Sequence, residues 1–456
     1  MTQSTNGEGN GPMARKALLS RTAMAACAIA VAALCVGSTG AVAQQLPPKD
    51  LNSLPAPSTA YTPKKTPWGD WDFRGTWPID NIASAHILFE RPLQFGSRNW
   101  VTPEEFAKRL AAAKRSDASF STGTNSNGQA TSTNAGGTEG LVKWMETDPF
   151  AHRTSMLVSN NGQLPPLTEW GHKLWAEGRS SWVPNQNFNW VDDFDSWDDC
   201  YSRGFPASMF PFRYNNGIRI FQSPGYIVIE LEMLGTRVIP ISNSAHWPHP
   251  VEAWMGNSRA HWEGKTLVIE TTNIKSGDAA THDASKRAAS PLNMATANVP
   301  PFNTIPTSDE AHTTERLTMI GPNTITYEIT YDDPKVFTAP WTARIDWSRN
   351  DKYQFFEYAC FEGDVQVRNY ISASHAKREQ IAEGKLTGKE PDGNARFAHQ
   401  FDFDPATMPE TPPGPPGGGP GRRVFTPPPP GAYSADGKSP SWDRDAPAPP
   451  PGATHN

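Results

Sequence analysis

Apolar and polar residues alternate with a period of two over much of 218–348. Ile325, Tyr327, Ile329 and Tyr331 alternate with Thr324, Thr326, Glu328 and Thr330. Trp341, Ala343, Ile345 and Trp347 alternate in the same way with Thr342, Arg344 and Asp346. Successive side chains of a strand point to opposite faces, so these runs read as strands with one buried face. Strands are expected at 218–222, 226–233, 236–241, 258–263, 265–273, 313–320, 323–332 and 341–348. Ser223-Pro224-Gly225, Glu263-Gly264-Lys265 and Gly321-Pro322-Asn323 supply turn chemistry between apolar runs, which makes most neighbours antiparallel. Such a set of strands can remove its edges by closing. The expected fold is therefore mainly β, an antiparallel up-and-down β-barrel, with an open sandwich as the alternative.

The N-terminal half follows other rules. Thr102-Pro103-Glu104-Glu105 sets an N-cap, a proline at the first helical position and a capping-box glutamate before a helix to about Arg115. A second capped helix is expected from Thr168 to Glu177, stopped by Gly178. Between them, 116–140 is a Ser/Thr/Asn/Gly tract expected as a disordered insertion. Residues 44–66 read as a Pro/Ser/Thr-rich linker, and 67–217 as an irregular, partly helical region. The barrel and its closing segment occupy 218–400, and 401–456 is a Pro/Gly-rich tail expected to be disordered.

At the front, Arg15, Lys16 and Arg21 precede an apolar run from Ala23 to Val36, and Ala41-Val42-Ala43 supplies a small-x-small cleavage pattern. This predicts a secretory signal over 1–43 and a periplasmic or secreted protein without a stable membrane anchor, since the run is shorter than the roughly 20 residues a bilayer needs. Cleavage would leave Cys200 and Cys360 as the remaining cysteines, in a compartment where disulfides persist; a structural bridge is expected. The net charge of −6, with no basic stripe, argues against a nucleic-acid partner. There is no phosphate loop, dinucleotide fingerprint or Gly-x-Ser-x-Gly elbow, so no cofactor is expected.

PGYIVIELEM (224–233), SRAHWEGKTLVIETTN (258–273), ERLTMIGPNTITYEITYDDP (315–334), FTAPWT (337–342) and EYACFEGD (357–364) resemble a family of exported bacterial proteins without established activity. The resemblance implies a lipocalin-like β-barrel core. It covers about 160–380, and departs at Asn257, where the family often has Asp, and at Phe361, where it often has His.

Candidate chemistry falls in three places. On strand 258–263, Arg259, His261 and Glu263 share one face, and Glu230 and Glu232 share one on a nearby hairpin, with Arg219 and Arg237 placed to neutralise them. Facing inward, these residues would form a charged pocket fit for proton transfer; facing outward, they are solvated charges. His246-Trp247-Pro248-His249 offers two imidazoles in a loop at the barrel mouth, but Pro248 excludes a zincin-type helix and no metal site is expected. Trp182, Trp190 and Trp197 lie in an acidic loop with Asp192, Asp193, Asp195, Asp198 and Asp199, where aromatic faces beside carboxylates suit a sugar ring or simply pack the loop. Two functions are expected to compete. One is an exported enzyme acting on a small carbohydrate-like or aromatic molecule by acid/base chemistry, of lyase or hydrolase type, with His261, Glu263, Glu230 and Glu232 catalytic. Arg259, Arg237, Trp190, Trp197, His246 and His249 would then hold the substrate. The other is a non-catalytic periplasmic binding barrel for a hydrophobic or sugar ligand.

Overall fold

The alternation along the chain becomes two antiparallel meanders. The computed structural model describes residues 47–122, 140–159, 161–171, 188–191, 194, 196–212, 214–276 and 307–386, all within a unit spanning 45–456. The first sheet is ordered β1 (Gly75–Thr76), β2 (Ile218–Ser223), β3 (Tyr226–Leu231) and β4 (Thr236–Pro240). The second is ordered β5 (Asn257–Glu263), β6 (Thr266–Thr272), β7 (His312–Gly321), β8 (Thr324–Asp332) and β9 (Trp341–Ser348). Every expected strand forms, with ends displaced by no more than two residues.

Neither sheet closes on itself. The connection from β4 to β5 runs through 241–256, with Pro248 and Pro250, and the two strands meet at a parallel bridge between Ile241 and Ala260. A tight hairpin would have continued the ladder; a long proline-bearing loop interrupts it. The outer edge of β9 is covered instead by a crossing segment, bridged at Leu157–Ala343 and Leu167–Phe337. Covering an edge is the other way to silence its unpaired groups.

The inner faces of both sheets share one core. Ile229, Leu267, Ile269, Leu317, Ile325 and Ile345 are fully buried in it, and Tyr327 stacks on Trp347 with centroids 4.6 Å apart. Arg237 of β4 reaches across this core to Glu315 of β7, with nitrogen–oxygen distances of 2.8 and 2.5 Å. Ser258 and Thr271 accept from the same guanidinium, and Tyr327 donates to Glu315 at 2.9 Å. Burial alone would lower the Arg237 pKa, but the Glu315 carboxylate beside it leaves it raised.

Outside the sheets lie α1 (Asp80–Ser84), α2 (Pro103–Thr122), α3 (Leu141–Thr147) and α4 (Asp364–Ala382). The capping box forms as expected: Thr102 N donates to Glu105 Oε2 at 2.7 Å, and Glu105 N to Thr102 Oγ1 at 3.3 Å. α2 runs beyond Arg115 to Thr122, into the stretch read as an insertion. Part of the segment read as a linker lies against the fold, because its backbone carbonyls find donors. Leu51 O accepts from Asn99 N, Ser53 O from the Trp100 indole, and Pro55 O from Arg344. Cys200 and Cys360 are bonded, with sulfurs 2.14 Å and Cα atoms 5.7 Å apart. The signal segment 1–43, residues 123–139 of the insertion, the second helix beyond Gly171, Trp182 and the tail 401–456 lie outside the described residues. Among those described, no helix is long and apolar enough to cross a membrane.

Candidate functional site

The segment covering β9 pairs at its two ends and parts from it in the middle. At one end Val158 N donates to Thr342 O and Arg344 N to Met156 O; at the other Thr338 N donates to Pro166 O and Thr168 N to Val336 O. Between the bridges, 158–166 counts nine residues against five in 338–342. The longer arm must bow outward. Prolines at 165, 166 and 340 also lack the N–H that a ladder would use. Among the described residues no backbone hydrogen bond joins 159–165 to 339–341. The gap is a cleft of about 570 Å³, within the range of small-molecule sites.

The arm is tied from behind at Gly162, Gln163 and Leu164. Gly162 closes a turn on Ser159 O (2.9 Å), and its own carbonyl accepts from Arg91 N (2.7 Å). Its φ of +68° and the Arg91 Cβ, 2.4 Å from where a Gly162 Cβ would stand, leave room only for glycine. The Gln163 amide donates to Arg91 O, and Leu164 N to the buried Glu90 carboxylate, both at 2.7 Å. On the opposite wall Trp341 is only 3% exposed, stacked on Tyr331 at 5.1 Å and met edge-on by Phe89 at 5.4 Å. Leu164, Pro165, Pro166 and Pro340 give apolar walls; the neutral polar residues Ser159, Asn161, Gln163 and Thr342 complete the lining, with Ser159 Oγ donating to Asn161 Oδ1 and Thr342 Oγ1 2.8 Å from Thr330 Oγ1. No titratable side chain lines the cleft among the described residues. This chemistry can grip a ring and its hydroxyls but offers no acid or base.

The residues singled out from the sequence lie elsewhere. Arg259, His261 and Glu263 do share a face, and it is the outer one. Ser258, Ala260 and Trp262 take the inner positions of β5, so parity sends the charged set toward solvent. His261 meets Glu263 at 3.4 Å, and Glu263 pairs with Arg316 at 2.6 Å, which with His261 lowers its pKa. Arg259 donates to Ser244 Oγ and Ala245 O, tying down the loop that leads into β5. Glu230 also faces out, 3.6 Å from Arg219. Glu232 does not join it: it is buried, accepting from Gly217 N, Phe356 N and the Tyr353 hydroxyl. Arg237 belongs to the core pair with Glu315.

His246 Nδ1 lies 3.1 Å from Asn257 Oδ1, which also accepts from Trp247 N. His249, 73% exposed, lies 3.3 Å from Asp309. Trp190 is exposed, whereas Trp197 is buried against Phe212 and Met233. The structure therefore gathers none of these into one cavity. Among the described residues there is also no group of three His, Cys, Asp or Glu able to hold a metal.

A buried pair of carboxylates escaped sequence reasoning. Asp148 accepts from Phe150 N (2.9 Å), the Trp144 indole (3.0 Å) and Ser348, and Asp346 on the outer face of β9 accepts from Thr326 at 2.7 Å. Burial, then the Asp346 charge, pushes Asp148 up to about 7; burial pushes Asp346 up to about 6. Arg153 and Arg344 stand nearby, and beside Asp346 lies a void of about 20 Å³, room for one water. It is too closed to be a substrate site. The cleft had one sequence signal, the FTAPWT stretch at 337–342, whose meaning depends on a partner arm far away in the chain.

Comparison with protein families, curated proteins and solved structures gives no match.

Proposed function

We propose that this is an exported, non-catalytic binding protein that holds a small neutral ring compound, carbohydrate-like or aromatic, in the cleft beside Trp341. The carrying observation is the lining itself: apolar walls, four neutral polar side chains and no ionisable group among the described residues. An acid/base enzyme needs a titratable group within reach of the reacting atom, and the Arg259–His261–Glu263 set stands on the solvent face instead. The lipocalin-like reading is retained in sheet content and antiparallel order, but the ligand is assigned to the rim, since side chains fill the space between the sheets. The signal-like front, the Cys200–Cys360 bridge and the resemblance to exported bacterial proteins all favour an oxidising compartment.

The test is a thermal-shift screen of the purified mature protein against sugars, neutral aromatics, aromatic acids and sterols, repeated on two variants. Ala339 is exposed at the cleft, so Ala339→Trp should fill it and remove the ligand-induced rise without disturbing the core. His261→Ala should keep that rise and change stability by no more than roughly 0.5 kcal/mol, as for a surface residue. The reverse pattern, loss with His261→Ala and retention with Ala339→Trp, would return the site to the outer face of β5.

A further inference from the structure

Arg203 lies three residues beyond Cys200 and is 2% exposed. Its Nη1 makes one long hydrogen bond, 3.4 Å, to Phe210 O. Its Nε and Nη2 are buried and find no hydrogen-bond acceptor among the described residues. Phe212 covers one face of the guanidinium, 4.5 Å from its Cζ. Burial lowers its pKa to about 9, with Tyr214 and Tyr358 the neighbouring groups that oppose the shift, so it is still charged at neutral pH. A buried cation without a counter-ion is costly, and an unsatisfied buried group of this kind is met by an ordered water, an ion or a ligand. Arg237, equally buried, shows the usual solution: a carboxylate takes two of its nitrogens.

The orphaned edge has a definite shape. Nε–H and Nη2–H lie side by side and point the same way, the fork that matches the two oxygens of a carboxylate. The surroundings are aromatic: Trp197 packs edge-on to Phe212 at 5.4 Å, Phe212 on Tyr214 at 4.9 Å, and Tyr214 lies 6.3 Å from Tyr358. Tyr214, at the outer end of this cluster, is 44% exposed. The disulfide fixes this corner, joining the chain just before Arg203 to the chain just after Tyr358. We propose that Arg203 anchors a second binding site, distinct from the cleft, for the carboxylate of a small organic acid.

The full mature chain is titrated with acetate and with benzoate, using chloride at matched ionic strength as control. Thermal shift and the Arg Nε–H resonances by NMR are the readouts. The expected result is a saturable rise in melting temperature and a shifted Nε–H signal with the carboxylates and not with chloride. Arg203→Lys keeps the charge but loses the fork, and should weaken binding about tenfold or more. Arg203→Met should abolish it while near-ultraviolet circular dichroism stays native; if that variant does not fold, Arg203→Lys decides. Ala339→Trp should leave the carboxylate response intact, separating this site from the cleft. No response in the wild type, an equal response to chloride, full retention in Arg203→Lys, or loss in Ala339→Trp would each overturn the assignment.

Discussion

Asp148 and Asp346 illustrate how much chemistry a side chain acquires from its place. Burial raises both carboxyl groups, to pKa values near 7 and 6 against 3.8 for the ordinary residue. The folded state therefore binds more protons than the unfolded chain between about pH 4 and 7, and stability falls as pH rises through that window. His152 acts in the opposite sense: burial, then Arg109, lowers it to about 4, so its penalty grows as pH falls below the ordinary histidine range. Urea melts of wild type and Asp346→Asn at pH 5 and pH 8 separate the two. The variant should lose less stability than wild type on going to pH 8; equal losses would show that Asp346 ionises freely in the fold. None of this was legible in the sequence, because Asp346 occupies a polar position of an alternating strand that any solvated residue could fill. The packing of Leu54, Pro55 and Pro57, with Pro149, Phe150 and Arg153, over that face turns it into a buried group. The outward placement of His261 was half legible: parity put it with Arg259 and Glu263, but which face was inner depended on Trp262.

At the level of elements, the strands were the most readable part, since alternation, turn glycines and short loops all pointed the same way. β1, two residues long, and α4, whose residues are mostly exposed, carry too little apolar pattern to announce themselves. The bowed arm at 158–166 is the element that makes the cleft, and its length relative to 338–342 is what a sequence read locally cannot reveal. Gly162 is its pivot. Gly162→Ala would place a methyl group against Arg91 at a positive φ, costing about 2–4 kcal/mol from the left-handed backbone and local overpacking together. A urea melt measures that cost, and the same variant should lose the cleft-dependent thermal shift. A variant as stable as wild type would mean that the chain at Gly162 relaxes freely away from Arg91.

On the scale of the whole molecule, one covalent link crosses 160 residues, tying the aromatic corner around Trp197 to the segment ahead of α4. Closing so long a loop is worth about 4–5 kcal/mol in the chain-entropy account, so reductant or Cys200→Ser should lower the urea-derived stability by that order. A shift below about 1 kcal/mol would mean that the unfolded chain gains little freedom without the bridge. Cys200 and Cys360, the two cysteines outside the expected signal segment, made this pairing readable, whereas the break between β4 and β5 was not, because alternation says which face a residue takes and nothing about where a ladder stops. The split edge beside β9 also bears on kinetics. A calyx whose ligand sits inside must loosen its own wall for every exchange, so occupancy is chained to the fold's breathing. A rim site on a solid interior exchanges at the pace of diffusion and local desolvation, and the selectivity of the proposed ring site would drift by substitution of exposed residues such as Ala339 while the interior stays as it is.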